Sequence, residues 1–230
     1  MKEVKRLIMD RTIFNDNLES IDFKDIKGSY IFLIPTYISV QPLFFLSITN
    51  LINRMNEIGV KYKIALEVGT YLPNARETLS KLSFLENYDY IVWLDSDVAF
   101  SPNTILYLML DAQKSKYDMI SPVIYTRMEP HLPLVYEGTA PKQIPKDKEW
   151  IDADVVGFGC VIMKKTALEK IPRPHFQTYL NDSNRLVGED FFFFRKAKEH
   201  GLSLGVNTFA KFGHIGGTVW NDEREKTRTN

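Results

Sequence analysis

Two carboxylates, Asp95 and Asp97, close the run YIVWLDSD with only Ser96 between them. Such an apolar run reads as a buried strand, and negative charge concentrated at its end needs a reason. Two readings stand. As loop acids, the pair would accept hydrogen bonds from nearby backbone N–H groups. As hard oxygen donors one residue apart, they suit Mg²⁺ or Mn²⁺, which in turn bridges a diphosphate. Ser101, ahead of Pro102, already supplies a helix N-cap, so the acids are not needed there.

Two further places carry chemistry. In Gly188–Glu189–Asp190, ahead of FFFFRKAKEHG, the acids fall in the first turn of a helix, where the helix dipole favours negative charge. The sharper reading makes one of them an ionised general base, with Gly188 permitting an unusual turn. The phenylalanines Phe191 to Phe194 read as core and pocket wall, on a helix buried on most sides. In GHIGG, His214 is either a structural histidine or a third ligand beside the two acids, one that suits Mn²⁺ better than Mg²⁺.

The elements that must position these residues alternate. SYIFLIPTY is a short strand stopped by Pro35. VQPLFFLSITNLINRMNEIG is a helix with Phe44, Ile48, Leu51, Ile52, Met55 and Ile58 at helical spacing, Pro42 in its first turn and Gly59 at its end. KYKIALEV, YIVWLD and DMISPVIY read as strands, and PNARETLSKLSFLEN and SPNTILYLMLDAQ as helices. Arg127 to Trp150 is a proline-bearing loop, read as a substrate-facing lid or a mixed-sheet excursion. VVGFGCVIMKKTAL is a strand and a short helix, IPRPHFQTYLNDSNRLV is irregular, and LSLGVNTFAKFGHIGG ends the folded part. Strands alternating with helices predict an α/β fold with a mostly parallel sheet covered on both faces.

Bulk properties exclude some functions. With 230 residues and 44% hydrophobic content, the chain can build one substantial α/β core. Lys plus Arg and Asp plus Glu each number 29, so no global basic field recruits nucleic acid or an anionic membrane. The single Cys160 fits a reducing compartment. The opening MKEVKRLIMDRT does not read as a secretory signal, and no stretch approaches the roughly 20 apolar residues of a membrane span. A soluble, cytoplasmic protein is expected, in the host cytoplasm if the source is a virus or phage.

The order of these segments resembles the nucleotide-sugar-dependent glycosyltransferases of the GT-A fold, especially small stand-alone members from bacteria, phages and large viruses. The resemblance runs from PTY after the first strand, through NARE, WLDSD, VGFGCVIMKK and GED, to GHIGG. It spans about Ser29 to Gly217. Each motif is short; their order and spacing carry the likeness.

The resemblance implies a GT-A, Rossmann-like, mostly parallel sheet flanked by helices, with a smaller acceptor-side mixed-sheet region. One catalytic domain would cover residues 29–217, after an N-terminal extension (1–28) and before a polar tail (218–230). Pro35, Thr36 and Tyr37 would line the nucleobase pocket. Asn74 and Arg76 would approach the nucleotide sugar, Arg76 near the diphosphate or holding the acidic loop. Asp95, Ser96 and Asp97 match the acidic metal motif. Asp97 would be a ligand, with Asp95 beside it or contacting the ribose or donor sugar, and His214 would complete the site. Gly157, Phe158 and Gly159 would shape the sugar and acceptor pocket. Asp190 matches the base of inverting members, with Glu189 beside it. The implied cofactor is Mn²⁺ or Mg²⁺. The implied partners are a nucleotide-sugar donor, uridine-linked more often than guanosine-linked, and a glycan, lipid-linked or protein acceptor.

The chain departs from the commonest pattern at Glu77, where many relatives carry a small or amide residue. Rival readings are a nucleotidyltransferase, a phosphatase with an aspartyl nucleophile, and a catalytically silent binding module of the same fold. The first normally shows a glycine- and basic-rich phosphate loop, which IPTYISVQP lacks; the second needs a hydroxyl residue where Ala99 stands.

Overall fold

The computed structural model describes residues 22–216, 218–220 and 227–228. Strand β1 (Ser29–Thr36) passes through α1 (Pro42–Ile58) to β2 (Lys61–Val68), which pairs with it in parallel. Helix α2 (Leu72–Leu85) then carries the chain to β3 (Tyr90–Leu94), parallel to β1 on its other side. The winding direction therefore reverses between β1 and β3, the place where parallel α/β sheets open a crevice at their strand ends.

After β3 come β4 (Val98–Phe100), α3 (Pro102–Lys114) and β5 (Met119–Val123). The expected proline-bearing loop holds β6 (Val135–Glu137) and β7 (Ala140–Pro141), followed by β8 (Trp150–Ala153), β9 (Val155–Val156), β10 (Cys160–Lys164) and α4 (Lys165–Glu169). A hairpin of β11 (Tyr179–Leu180) and β12 (Leu186–Val187) precedes α5 (Glu189–Glu199), in a stretch read from sequence as irregular. The long β13 (Leu204–Ile215) and the short β14 (Thr218–Trp220) and β15 (Thr227–Arg228) finish the described chain.

The central sheet has the order β15-β14-β13-β5-β10-β3-β1-β2, with β4 and β8 attached to β13. Strands β2, β1, β3, β5 and β13 share one direction; β10 runs against β3 and β5 between them. The sheet is mostly parallel, as expected. VVGFGCVIMKK is not one strand: it breaks at Gly157–Gly159, so that β9 joins β6 and β7 in a small sheet while β10 joins the large one. That small sheet is antiparallel throughout rather than mixed.

Period-2 alternation in β1 builds two cores. Tyr30, Phe32 and Ile34 meet Phe44, Leu51, Ile105 and Leu108 from α1 and α3; Ile31 and Leu33 face the opposite layer, with Leu79, Leu168 and Phe193 from α2, α4 and α5. On α1, Phe44, Ile48, Leu51 and Met55 are buried at the predicted spacing, and Gly59 takes the left-handed conformation (φ 73°) that ends the helix. Ser101 Oγ accepts from Asn103 N–H at the start of α3, the predicted cap.

Phe23 and Ile26 belong to the core, so packing begins ahead of the boundary expected at residue 29. Thr218–Trp220, expected in the polar tail, pairs with β13. The opening segment to residue 21 and most of the tail lie outside the described residues. No helix among the described residues is long and apolar enough to cross a membrane.

Candidate functional site

Backbone pairing gathers residues far apart in sequence. Strand β3 is buried except at its start and ends at Asp95, whose N–H donates to the carbonyl of Gly159 (3.0 Å). The chain turns through Ser96, whose carbonyl accepts from Gln41 N–H (3.3 Å), and Asp97, whose carbonyl accepts from Ile215 N–H (2.7 Å). Strand β4 then pairs antiparallel with the end of β13, placing His214 opposite Val98. That register brings the histidine to the acids: His214 Nε2 lies 3.7 Å from Asp97 Oδ2.

Asp95 belongs to a buried charge network. Arg76, in the first half of α2, donates from Nη2 to both Asp95 oxygens (2.7 and 3.0 Å) and from Nη1 to Glu189. Its guanidinium lies 5.0 Å over the ring of Phe158. Burial disfavours its charge, but Asp95 and Glu189 outweigh this and hold its pKa above the ordinary value. Of the two roles expected of Arg76, the geometry fits the holder of the acidic loop.

Asp97 has a different environment. Its Oδ2 accepts from Arg127 Nη2, and Arg127 Nε also donates to His214 Nε2 (2.9 Å). His214 Nδ1 lies 2.7 Å from the carbonyl of Tyr125. A carbonyl only accepts, so Nδ1 carries the proton, and the Nε2 lone pair accepts from Arg127 Nε. Burial pushes the Asp97 carboxyl up, but the neighbouring His214 and Arg127 reverse this and hold it below the ordinary range. Asp97 Oδ1 is buried without a hydrogen-bond partner among the described residues.

No three His, Cys, Asp or Glu side chains among the described residues gather as a ligand cluster, and both oxygens of Asp95, expected beside the ion, accept from Arg76. The remaining pair, Asp97 and His214, still fits a divalent ion in chemistry: one orphaned carboxylate oxygen and one imidazole lone pair. An ion bound with a nucleotide needs only one or two protein ligands, since phosphates and water complete its shell.

At the start of α5, Glu189 is engaged by Arg76, while Asp190 Oδ1 accepts from Phe191 N–H (2.8 Å). Burial raises the Asp190 carboxyl, and the nearby Glu189 adds to this against the pull of Arg76. The stabilisation of the charged form expected from the helix end is thus opposed by desolvation, the larger of the two effects. Gly188 has an ordinary φ of −69°, so it serves no unusual turn. A side chain there would meet Asp190 Oδ1 at 2.7 Å, so the glycine makes room for the carboxylate.

A cleft of about 580 Å³ opens beyond β1 and β3, lined by Pro35, Thr36, Tyr37, Ser96, Asp97 and Arg127 among others, including Asp95. Asn74 is exposed on α2 outside that lining; its neighbour Ala75 faces the cleft instead, about 100° around the helix. Gly157, Phe158 and Gly159 do not line it either. Phe158 is buried against Trp93, Phe176, Phe193 and Phe194, and Gly159 sits where a Cβ would lie 2.5 Å from Ile124. This segment acts from beneath, through the Gly159 carbonyl on Asp95 and the Phe158 ring under Arg76. Glu77 is structural: it accepts from Arg173 and from the backbone N–H groups of His175 and Phe176. Sequence reasoning missed the part played by Arg127, which lies in no patterned motif; Tyr71 and Leu72, also in the cleft lining, fall in EVGTYLP, a segment compatible with a ligand loop.

No protein-family model matches the chain, and no curated protein sequence matches it. Among solved structures, A197 from STIV is 22% identical, with 89% of this chain and 95% of that one covered and a TM-score of 0.62. A mutant of Drosophila β-1,4-galactosyltransferase 7, in complex with manganese, UDP-Gal and xylobiose, is 13% identical, with coverage of 83% and 71% and a TM-score of 0.51. At these identities the likeness shows the fold, a GT-A-like arrangement of a mostly parallel sheet flanked by helices.

Proposed function

We propose that this chain is a metal-dependent glycosyltransferase that moves a sugar from a nucleoside-diphosphate sugar, UDP-linked by preference, to an acceptor hydroxyl with inversion. The observation that carries the reading is the approach of His214 to Asp97, which lines the cleft and keeps one carboxylate oxygen unpartnered among the described residues. The galactosyltransferase of like fold, crystallised with manganese and a UDP-sugar, supports it.

Asp97 and His214 would hold the ion, Mn²⁺ or Mg²⁺, which supplies Lewis-acid neutralisation of charge on the departing diphosphate. Tyr37 and Tyr71, exposed at the cleft, offer aromatic faces to the base, with Pro35 and Thr36 behind them. Arg76 keeps Asp95 fixed toward the donor. Asp190 takes the proton of the acceptor hydroxyl as its oxygen attacks the anomeric carbon, and its raised pKa moves it toward the pH at which it works. A single displacement from the opposite face inverts the anomeric centre. The small sheet, where Tyr136 packs on Phe191 (ring centroids 4.9 Å apart) beside Asp190, is assigned the acceptor: a glycan, a lipid-linked sugar or a protein.

The test is incubation with a panel of nucleotide sugars and Mn²⁺, scoring released nucleoside diphosphate. Turnover is expected with a uridine donor. Asp190→Asn should keep donor binding and lose about 10²–10⁴-fold in rate, the usual worth of a general base. Binding without any turnover would favour the silent module, and a product anomer matching the donor's would rule out inversion.

A further inference from the structure

Arg127 engages both groups that the candidate ion needs. Its Nη2 donates to Asp97 Oδ2, and its Nε donates to the lone pair of His214 Nε2 (2.9 Å). The ligand pair is mostly enclosed, with side chains 20% and 13% exposed, whereas the Arg127 side chain is 54% exposed and lines the cleft. A guanidinium and a divalent cation cannot share the one imidazole lone pair of His214, and beside the same carboxylate their charges repel.

We propose that Arg127 is an internal counter-cation that closes the ion site until a nucleoside diphosphate draws its guanidinium away. The inference rests on the reading of Asp97 and His214 as cation ligands. Arg127 follows β5 on a segment tied back by the Tyr125–Pro133 bridge, so its side chain can move without disturbing the sheet. A diphosphate in the same cleft presents oxygens that a guanidinium binds bidentately, a better partner than a single carboxylate oxygen. Ion and nucleotide then bind cooperatively: the open state is a fraction of the free protein, and apparent ion affinity falls by that fraction.

The experiment titrates Mn²⁺ into the full chain, following the free-ion electron paramagnetic resonance signal, with and without UDP. It compares wild type, Arg127→Gln, Arg127→Lys and Asp97→Asn. Without UDP, Arg127→Gln should bind Mn²⁺ about tenfold tighter than wild type, Arg127→Lys should stay close to wild type, and Asp97→Asn should bind least. With UDP the gap between wild type and Arg127→Gln should narrow to about threefold or less.

Equal or weaker Mn²⁺ binding by Arg127→Gln without UDP overturns the proposal, as does a failure of both proteins to bind the ion. A gap that survives saturating UDP overturns release by the nucleotide. The glycosyl-transfer reading fails separately, through absent donor turnover, and tighter Mn²⁺ binding by Arg127→Gln would stand without it. The Arg127 side chain is exposed, so its variants should keep the wild-type thermal midpoint, and a cooperative thermal transition confirms that Asp97→Asn is folded.

Discussion

Arg76 and Arg127 each pair with one of the two aspartates flanking Ser96, in opposite settings. The Arg76 side chain is 3% exposed and bridges Asp95 and Glu189 over an aromatic floor; that of Arg127 is 54% exposed and reaches Asp97 and His214 from the cleft. A buried guanidinium with two carboxylate partners cannot leave without stranding charge in a desolvated site, so it acts as a fixed part of the scaffold. An exposed guanidinium exchanges its partners for water at little cost. One tripeptide thus carries an acid held by a buried guanidinium and a second acid paired with an exposed one.

Removing each arginine should separate the two roles. Arg76→Met leaves Asp95 and Glu189 uncompensated and should cost about 3–5 kcal/mol in urea unfolding, the usual price of breaking a buried ion pair. A loss under about 1 kcal/mol would mean the network is wetter than its burial indicates. Arg127→Gln should change unfolding stability by no more than about 0.5 kcal/mol, as for other surface substitutions.

The smallest effect is the share of the pH dependence that Arg127 confers on the second aspartate. The Asp97 carboxyl is depressed in the folded state, so its contribution is fully present above the ordinary aspartate value of about 3.9 and is lost as pH falls through the lower folded value. Urea midpoints between about pH 2 and 5 should therefore drop less steeply for Arg127→Gln than for wild type. Identical slopes would show that Arg127 contributes nothing to the depression.

Much of this fold could be read from local pattern. The spacing of Phe44, Ile48, Leu51 and Met55, and the Ser101 cap before Pro102, are short-range signals, and the structure realises them as α1 and α3. The strands too short for periodicity escaped: β4, β6, β7 and the β11–β12 hairpin hold two or three residues each, and β4 is defined by a distant partner, β13. The site divides the same way. Asp95, Asp97, Asp190 and His214 stand in conspicuous motifs, but the proximity of His214 depends on β4 pairing with β13, a contact across more than a hundred residues. Arg127 carries no local signature, since a single arginine at the mouth of a proline-bearing loop looks like any solvated charge. Phe158 is expected in the pocket from the resemblance alone; in the structure its flanking glycines give Leu134 and Ile124 room to pack, and its ring packs on Trp93.

Calorimetric titration of UDP into wild type and Asp97→Asn, each with Mn²⁺ and with a chelator, tests the central claim most directly. Wild type should bind UDP at least about tenfold tighter with Mn²⁺ than with chelator, and Asp97→Asn should lose that difference. Equal UDP affinity of the wild type with and without the ion would contradict the account.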